Sequence, residues 1–118
     1  MATINPSKWG HCRVASQASH NTARNLSTAT ATAANTTTND STLLGTQYKV
    51  DSGRGSLTYN ITRAYFYFDT SAITGTVSSL RLRVQGAASA TADVIVVKST
   101  AFGGNGSANL DNDDYGNV

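Results

Sequence analysis

The chain has 118 residues, enough for a single domain, and its formal charge of +2 comes from nine Lys and Arg against seven Asp and Glu. So small a charge, with no cluster of Lys or Arg, argues against a nucleic-acid partner, and no apolar stretch is long enough to span a bilayer. Charged residues make up 14% of the chain and hydrophobic residues 39%, below the usual globular shares of about 25% and about 45–50%. Thr, Ser, Asn, Gly and Ala fill the difference and favour strands and turns, so the composition predicts an all-β protein.

The first 42 residues differ in composition from the rest of the chain. Residues 16–42 are mainly Ser, Thr, Ala and Asn, and Leu26 is their only large apolar residue. Such a segment buries too little apolar surface to offset the entropy lost when it becomes ordered. The sequence therefore predicts an extended low-complexity arm over residues 1–42, which is either flexible or ordered only against neighbouring subunits. The Thr-Ala alternation of residues 28–33 would suit an extended strand on such a neighbour.

Two short strands are predicted at the start of the second region, residues 43–118. They cover residues 43–50 and 56–61, and the Asp- and Gly-containing stretch 51–55 between them favours a turn.

The clearest strand signal covers residues 63–69, where side chains alternate between two faces. One face is predicted to lie in the core and the other to lie under a second layer or to face a partner. The predicted core face carries Ala64, Phe66 and Phe68, and the opposite face carries Tyr65 and Tyr67.

Two further strands are predicted later in the chain. In residues 79–84, Leu80, Leu82 and Val84 alternate with two arginines, which is typical of a strand with one face in water. The continuous apolar run within residues 92–98 suits a strand that is covered on both faces.

This succession of short strands predicts an antiparallel jelly-roll-like sandwich over residues 43–118. A jelly roll needs about eight strands, more than these residues supply. We therefore expect the sandwich to be completed by another chain or by a continuation beyond Val118.

Residues that could carry chemistry match no known template. Cys12, His11 and His20 lack the spacing of a zinc site and the third group that orients a catalytic Cys-His pair. The acidic stretch 111–114 departs from the calcium-binding loop pattern, which favours a solvated acidic loop. Asp69, which precedes Thr70-Ser71, is expected to cap the following loop through its side chain. We predict no catalytic residue, no metal, no cofactor and no enzymatic activity.

The stretch Arg63-Ala64-Tyr65-Phe66-Tyr67-Phe68-Asp69-Thr70-Ser71-Ala72-Ile73, followed by Ser79-Leu80-Arg81-Leu82-Arg83-Val84, resembles the central part of certain jelly-roll domains. These domains occur in bacteriophage virion proteins and in some secreted bacterial adhesion or carbohydrate-binding modules. The resemblance covers about a fifth of the chain, and it implies a scaffold more than a function.

Two functions follow from this resemblance. The first is a virion structural component, such as a capsid decoration, fibre or tail-associated protein, made in the host cytoplasm and bound to other virion proteins and to itself. The second is a carbohydrate-binding or adhesion module at the cell surface or outside the cell, which would bind a host-surface glycan. If Met1 is the natural start, we expect no signal peptide, and this expectation together with the low-complexity N-terminal arm favours the first. Trp9, Tyr65 and Tyr67 are the candidate residues for assembly or ligand contacts.

Overall fold

The computed structural model describes residues 3–35, 47–53, 56–83 and 95–118. Four strands and one short helix precede a C-terminal part that contains two short 3-10 helices. The elements are β1 (Lys8–Gln17), α1 (His20–Asn25), β2 (Ala31–Asn35), β3 (Gln47–Gly53), β4 (Ser56–Tyr67) and the 3-10 helices Phe102–Gly104 and Asn112–Gly116.

The four strands form one antiparallel sheet in the order β2-β1-β4-β3. The two central strands pair from Lys8 opposite Tyr67 to Val14 opposite Ile61, and β2 and β3 are the outer strands among the residues that the structure describes. The chain is therefore all-β in class, as its composition predicts, with α1 as a minor helical element.

Over residues 3–35 the structure differs from the arm predicted for residues 1–42, because β1 occupies a central position in the sheet. Residues 1–2 and 36–42 of that prediction lie outside the described residues. Trp9, Cys12 and Val14 are buried in this strand and supply the apolar contacts that the low-complexity stretch after residue 16 lacks. Ser19 then caps α1 by accepting a hydrogen bond from the backbone N–H of Thr22. The Thr-Ala stretch predicted to bind a neighbouring subunit contributes β2, which pairs with β1 of the same chain.

The hydrophobic core lies on one side of this sheet, which we call the inner face. Strand register places Cys12 opposite Arg63 and Val14 opposite Ile61 on that face. The C-terminal segment, defined as residues 99–118, packs against it and contributes four of the buried core residues. The core residues are Cys12, Val14, Ala23, Ala29, Tyr65, Ala101, Phe102, Leu110 and Tyr115.

The predicted assignment of faces in residues 63–69 is wrong, although the alternation itself is present. Tyr65 is 4% exposed in the core, whereas Phe66 is 42% exposed on the outer face. Tyr65 is accommodated because it lies opposite Gly10 of β1, and its hydroxyl group reaches main-chain carbonyls of the C-terminal segment. Phe66 lies opposite Trp9 on the outer face, and its ring stacks on that of Phe68 with centroids 6.4 Å apart.

The strands predicted at residues 79–84 and 92–98 are not present in the parts of those stretches that the structure describes. Leu80 is 92% exposed and Leu82 is 49% exposed, where both were expected to face the core. In the second stretch Ile95 is 83% exposed. Among the described residues the sheet ends at β2 and β3, and neither stretch pairs there with a strand that would complete its backbone hydrogen bonds. Val84 and Val94 lie outside the described residues.

Candidate functional site

The inner face is organised around Arg63, which connects three parts of the chain. Its guanidinium group donates hydrogen bonds to the carbonyl of Tyr115 and, at 2.9 Å, to the carbonyl of Arg24 at the end of α1. The same group lies 4.0 Å from the centroid of the Tyr115 ring. This combination of planar donors and a cation over an aromatic face is one that lysine cannot reproduce.

Two tyrosine hydroxyl groups hold the C-terminal segment to the sheet and to α1. Tyr65 donates to the carbonyl of Asp114 at 3.0 Å, and Tyr115 donates to the carbonyl of Ala23 at 2.9 Å. Burial raises the pKa of Tyr65 to about 12 and also raises the pKa of Tyr115. Both groups therefore stay protonated and keep donating across the neutral pH range.

The thiol of Cys12 belongs to the same anchoring contacts. It is fully buried and donates to the carbonyl of Asp111 at 3.3 Å. Burial raises its pKa, so the reactive thiolate is disfavoured. The described residues contain no group of three His, Cys, Asp or Glu side chains placed to hold a metal.

The acidic stretch 111–114, predicted to be a solvated loop, instead begins the 3-10 helix Asn112–Gly116, which Asp111 caps. The Asp111 side chain accepts from the backbone N–H groups of Asp113 and Asp114, and the Asp114 side chain accepts from that of Asp111. Asp111 and Asp113 are exposed as expected, but Asp114 is buried. Its burial follows from the packing of Tyr115 into the core.

Two glycines permit close approach of the C-terminal segment. A Cβ atom on Gly116 would lie 2.7 Å from the carbonyl oxygen of Ser27, to which the Gly116 N–H donates at 3.1 Å. Gly106, with φ +79°, lies so near the Tyr67 ring that a Cβ atom would overlap it. Tyr67 is therefore half-buried against the C-terminal segment.

The candidate contact residues from the sequence are mostly covered. Trp9 is 8% exposed on the outer face and Tyr65 is 4% exposed on the inner face, so neither presents an open ring to a partner. Asp69 behaves as predicted: its Oδ1 accepts from the backbone N–H of Ser71 at 2.9 Å, and this hydrogen bond lowers the pKa of Asp69. The sequence missed Arg63 and Tyr115 as anchors, because their partners are carbonyls far away in the chain.

Large apolar side chains are exposed in two parts of the described chain. The first, which we call the aliphatic surface, lies in the irregular stretches after β4, and every member is at least 40% exposed. Single exposed apolar residues are routine in folded proteins, whereas a contiguous exposed apolar patch is typical of an interaction site. The aliphatic surface consists of Ile73, Val77, Leu80, Leu82, Ile95, Val96 and Val97.

The second surface is the part of the inner face that the C-terminal segment leaves open, at the β3 edge. Val50 is 39% exposed and Leu57 is 53% exposed, and both share this face with Tyr59 because Val50 lies opposite Tyr59. A cavity of about 480 Å³ adjoins Leu57 and is lined by Ser16, Ala18, Leu57, Thr58 and Tyr59. Ser16, at φ +58°, lies in an irregularity of the β1–β4 pairing that shapes this cavity. We call this surface the open corner.

In the described part of the chain, no helix has the length and apolar character needed to cross a membrane. Comparison with protein families, with curated proteins and with solved structures found no match to this chain.

Proposed function

We propose that this chain is a non-enzymatic structural component of a bacteriophage virion, such as a capsid decoration, fibre or tail-associated protein, that acts through subunit assembly. The observation that carries the proposal is the aliphatic surface, on which Leu80 and Ile95 are 92% and 83% exposed. Burial of apolar area is the main driving force of stable association, so a chain with this surface gains free energy when another subunit covers it.

The polar groups of the inner face support a structural role. Arg63, Tyr65, Tyr115 and Cys12 all donate hydrogen bonds to main-chain carbonyls, and each bond fastens the C-terminal segment or α1. These groups are used to hold the fold together, which leaves the exposed surfaces for contact with partners.

The carbohydrate-binding alternative depends on aromatic rings that can stack on a sugar. Trp9 and Tyr65, two of the rings expected to do so, are covered. This burial argues against stacking of these two rings on a sugar, and equally against their use as contact residues in assembly.

Peptide mass mapping of the protein across a density gradient of the culture that produces it tests the proposal. We expect its peptides to migrate with virus particles and to remain with them after a high-salt wash, because apolar contacts are not screened by salt. Recovery of the chain only at the top of the gradient, with binding to a glycan array, would overturn the proposal in favour of the alternative.

A further inference from the structure

We propose that residues 79–83 are a processing site for a protease that cleaves after arginine, and that the C-terminal segment remains bound to the sheet after the cut. The inference goes beyond the proposed assembly function and does not depend on it. It concerns the free chain, in which Leu80 is 92% exposed.

The stretch that contains the site is open to solvent along its whole described length. Every residue from 69 to 83 is exposed, and none of residues 74–83 forms a hydrogen bond with a described residue. A protease takes its substrate as unpaired, accessible backbone, so it cleaves fastest where the chain is exposed and has no hydrogen bonds to lose. Residues 79–83 meet both conditions.

This stretch carries the side chains that an arginine-directed protease recognises. Arg81 and Arg83 are both exposed, and neither guanidinium group forms an ion pair or hydrogen bond with a residue that the structure describes. Trypsin-type proteases hold such a group in a pocket that has a carboxylate at its base. Both side chains are therefore available to enter that pocket.

The other arginines in the described part of the chain lie within regular elements. Arg13 and Arg63 belong to the two central strands, each of which pairs on both sides. Arg24 lies in α1, and its carbonyl accepts a hydrogen bond from Arg63. A protease reaches these positions only after local unfolding, so we expect slower cleavage there.

The reaction is hydrolysis of a peptide bond. Water adds to the bond between Arg81 and Leu82, so that Arg81 gains a carboxylate group and Leu82 gains an amino group. The same reaction after Arg83 leaves the amino group on Val84. The protease supplies the nucleophile and the general base.

The apolar contacts of the C-terminal segment survive the cut, because they join residues after the site to residues before it. Ala101, Phe102, Leu110 and Tyr115 lie in the same core as residues of β1, α1 and β4. Cleavage removes only the covalent connection and the high effective concentration that it provides.

Hydrogen bonds across the same boundary add to these contacts. The Tyr65 hydroxyl donates to the carbonyl of Asp114 at 3.0 Å, and the N–H of Ala29 donates to the carbonyl of Asn112 at 2.7 Å. Because the acceptors are main-chain groups in the interior of the segment, a new terminus at residue 82 or 84 leaves them in place.

Digestion of the folded full-length chain with an arginine-specific protease, followed by mass spectrometry, tests the site. We expect the first cleavage after Arg81 or Arg83. In the double variant Arg81→Gln/Arg83→Gln these fragments should be absent, and the intact chain should persist at least about tenfold longer. Arg13→Gln is the matched control, because it removes an exposed arginine from β1, and it should be cleaved as fast as the wild type.

Gel filtration of the cleaved protein tests whether the C-terminal segment stays bound. The two wild-type fragments should elute together, and urea should separate them. Tyr65→Phe keeps the ring but loses the donor to the Asp114 carbonyl, so it should raise the dissociation constant of the fragments about fivefold. Val118→Ala should leave that constant unchanged, because Val118 is 54% exposed. Thermal unfolding before digestion checks that each variant is folded.

First cleavage of the folded wild type after any other arginine would overturn the assignment of the site. Separate elution of the two fragments, from a chain that was folded before digestion, would overturn the retention of the C-terminal segment. Neither result decides the assembly function, which is measured by migration with virus particles.

Discussion

The guanidinium group of Arg63 lies 4.0 Å from the centroid of the Tyr115 ring and donates a hydrogen bond to the carbonyl of that same residue. It thereby holds both the side chain and the main chain of Tyr115. Because Arg63 also donates to the carbonyl of Arg24, one side chain joins β4, α1 and the C-terminal segment. We regard this contact as the centre of the packing on the inner face.

Replacement of Arg63 with lysine should destabilise the fold by about 1–3 kcal/mol. Lysine keeps the positive charge but loses the planar fork that reaches both carbonyls and covers the Tyr115 ring. Urea unfolding measures the change. Arg13→Lys is the matched control, because Arg13 is exposed on β1, and its loss should stay within about 0.5 kcal/mol. Equal losses in the two variants would show that the Arg63 contacts do not stabilise the fold.

Neighbouring positions of β4 should respond very differently to truncation. Tyr65→Ala should cost about 3–5 kcal/mol, because Tyr65 is 4% exposed in the core. Phe66→Ala should cost clearly less, because that ring is 42% exposed on the outer face. Chemical denaturation of both variants checks the order. A larger loss for Phe66→Ala would restore the assignment of faces that the sequence suggested.

Alkaline pH should weaken the fold through Tyr65. Its pKa is about 12 in the folded chain and 10.0 in the reference state, so between these values the unfolded chain releases a proton that the folded chain retains. The contribution of Tyr65 is thus complete below about pH 10 and is lost as the pH rises toward 12. Unfolding curves at several pH values should show the advantage of wild type over Tyr65→Phe shrinking across this range. An advantage independent of pH would contradict the expected titration.

Cys12 should resist thiol reagents in the folded protein. Its side chain is fully buried, so a reagent cannot reach the sulfur. Burial also raises its pKa, so little of the reactive thiolate forms. Labelling with iodoacetamide, followed by mass spectrometry, should be slow in native buffer and fast in urea. Native labelling as fast as that of the unfolded chain would show that the C-terminal segment does not cover this thiol.

The contact between Gly116 and Ser27 should tolerate no side chain. Gly116→Ala places a Cβ atom 2.7 Å from the Ser27 carbonyl oxygen, so the two backbone segments must separate. We expect a loss of about 1–3 kcal/mol in the free energy of unfolding. Gly75→Ala is the control, since a Cβ atom there has nothing within 4 Å. Comparable stability of both variants would contradict the close approach.

The local features of this fold were predictable from the sequence, whereas the distant contacts were not. The hydrogen bond from Ser71 to Asp69 spans two residues, and a local pattern predicts it. Alternation in β4 was equally visible. The sequence did not show which of the two faces is buried, because the partners of the Tyr65 hydroxyl are carbonyls about 50 residues later in the chain.

The strands within residues 3–35 were missed for a related reason. A low-complexity composition describes the stretch after residue 16 well, but β1 lies almost entirely before it and depends on pairing with β4. In residues 79–83, by contrast, the sequence predicts a strand that the structure does not contain. Their pattern is typical of a strand, yet a pattern does not supply the neighbouring strand that would complete it.

Covalent footprinting of the aliphatic surface, in the free chain and in purified virus particles, tests the assembly function most directly. A carbene reagent labels exposed side chains, and mass spectrometry compares the labelling of Leu80 and Ile95 with that of Val118 as an internal reference. We predict at least about a fivefold loss of labelling at Leu80 and Ile95 in particles, because assembly buries apolar side chains. Unchanged labelling of these residues in particles, or absence of the chain from particles, would contradict the account.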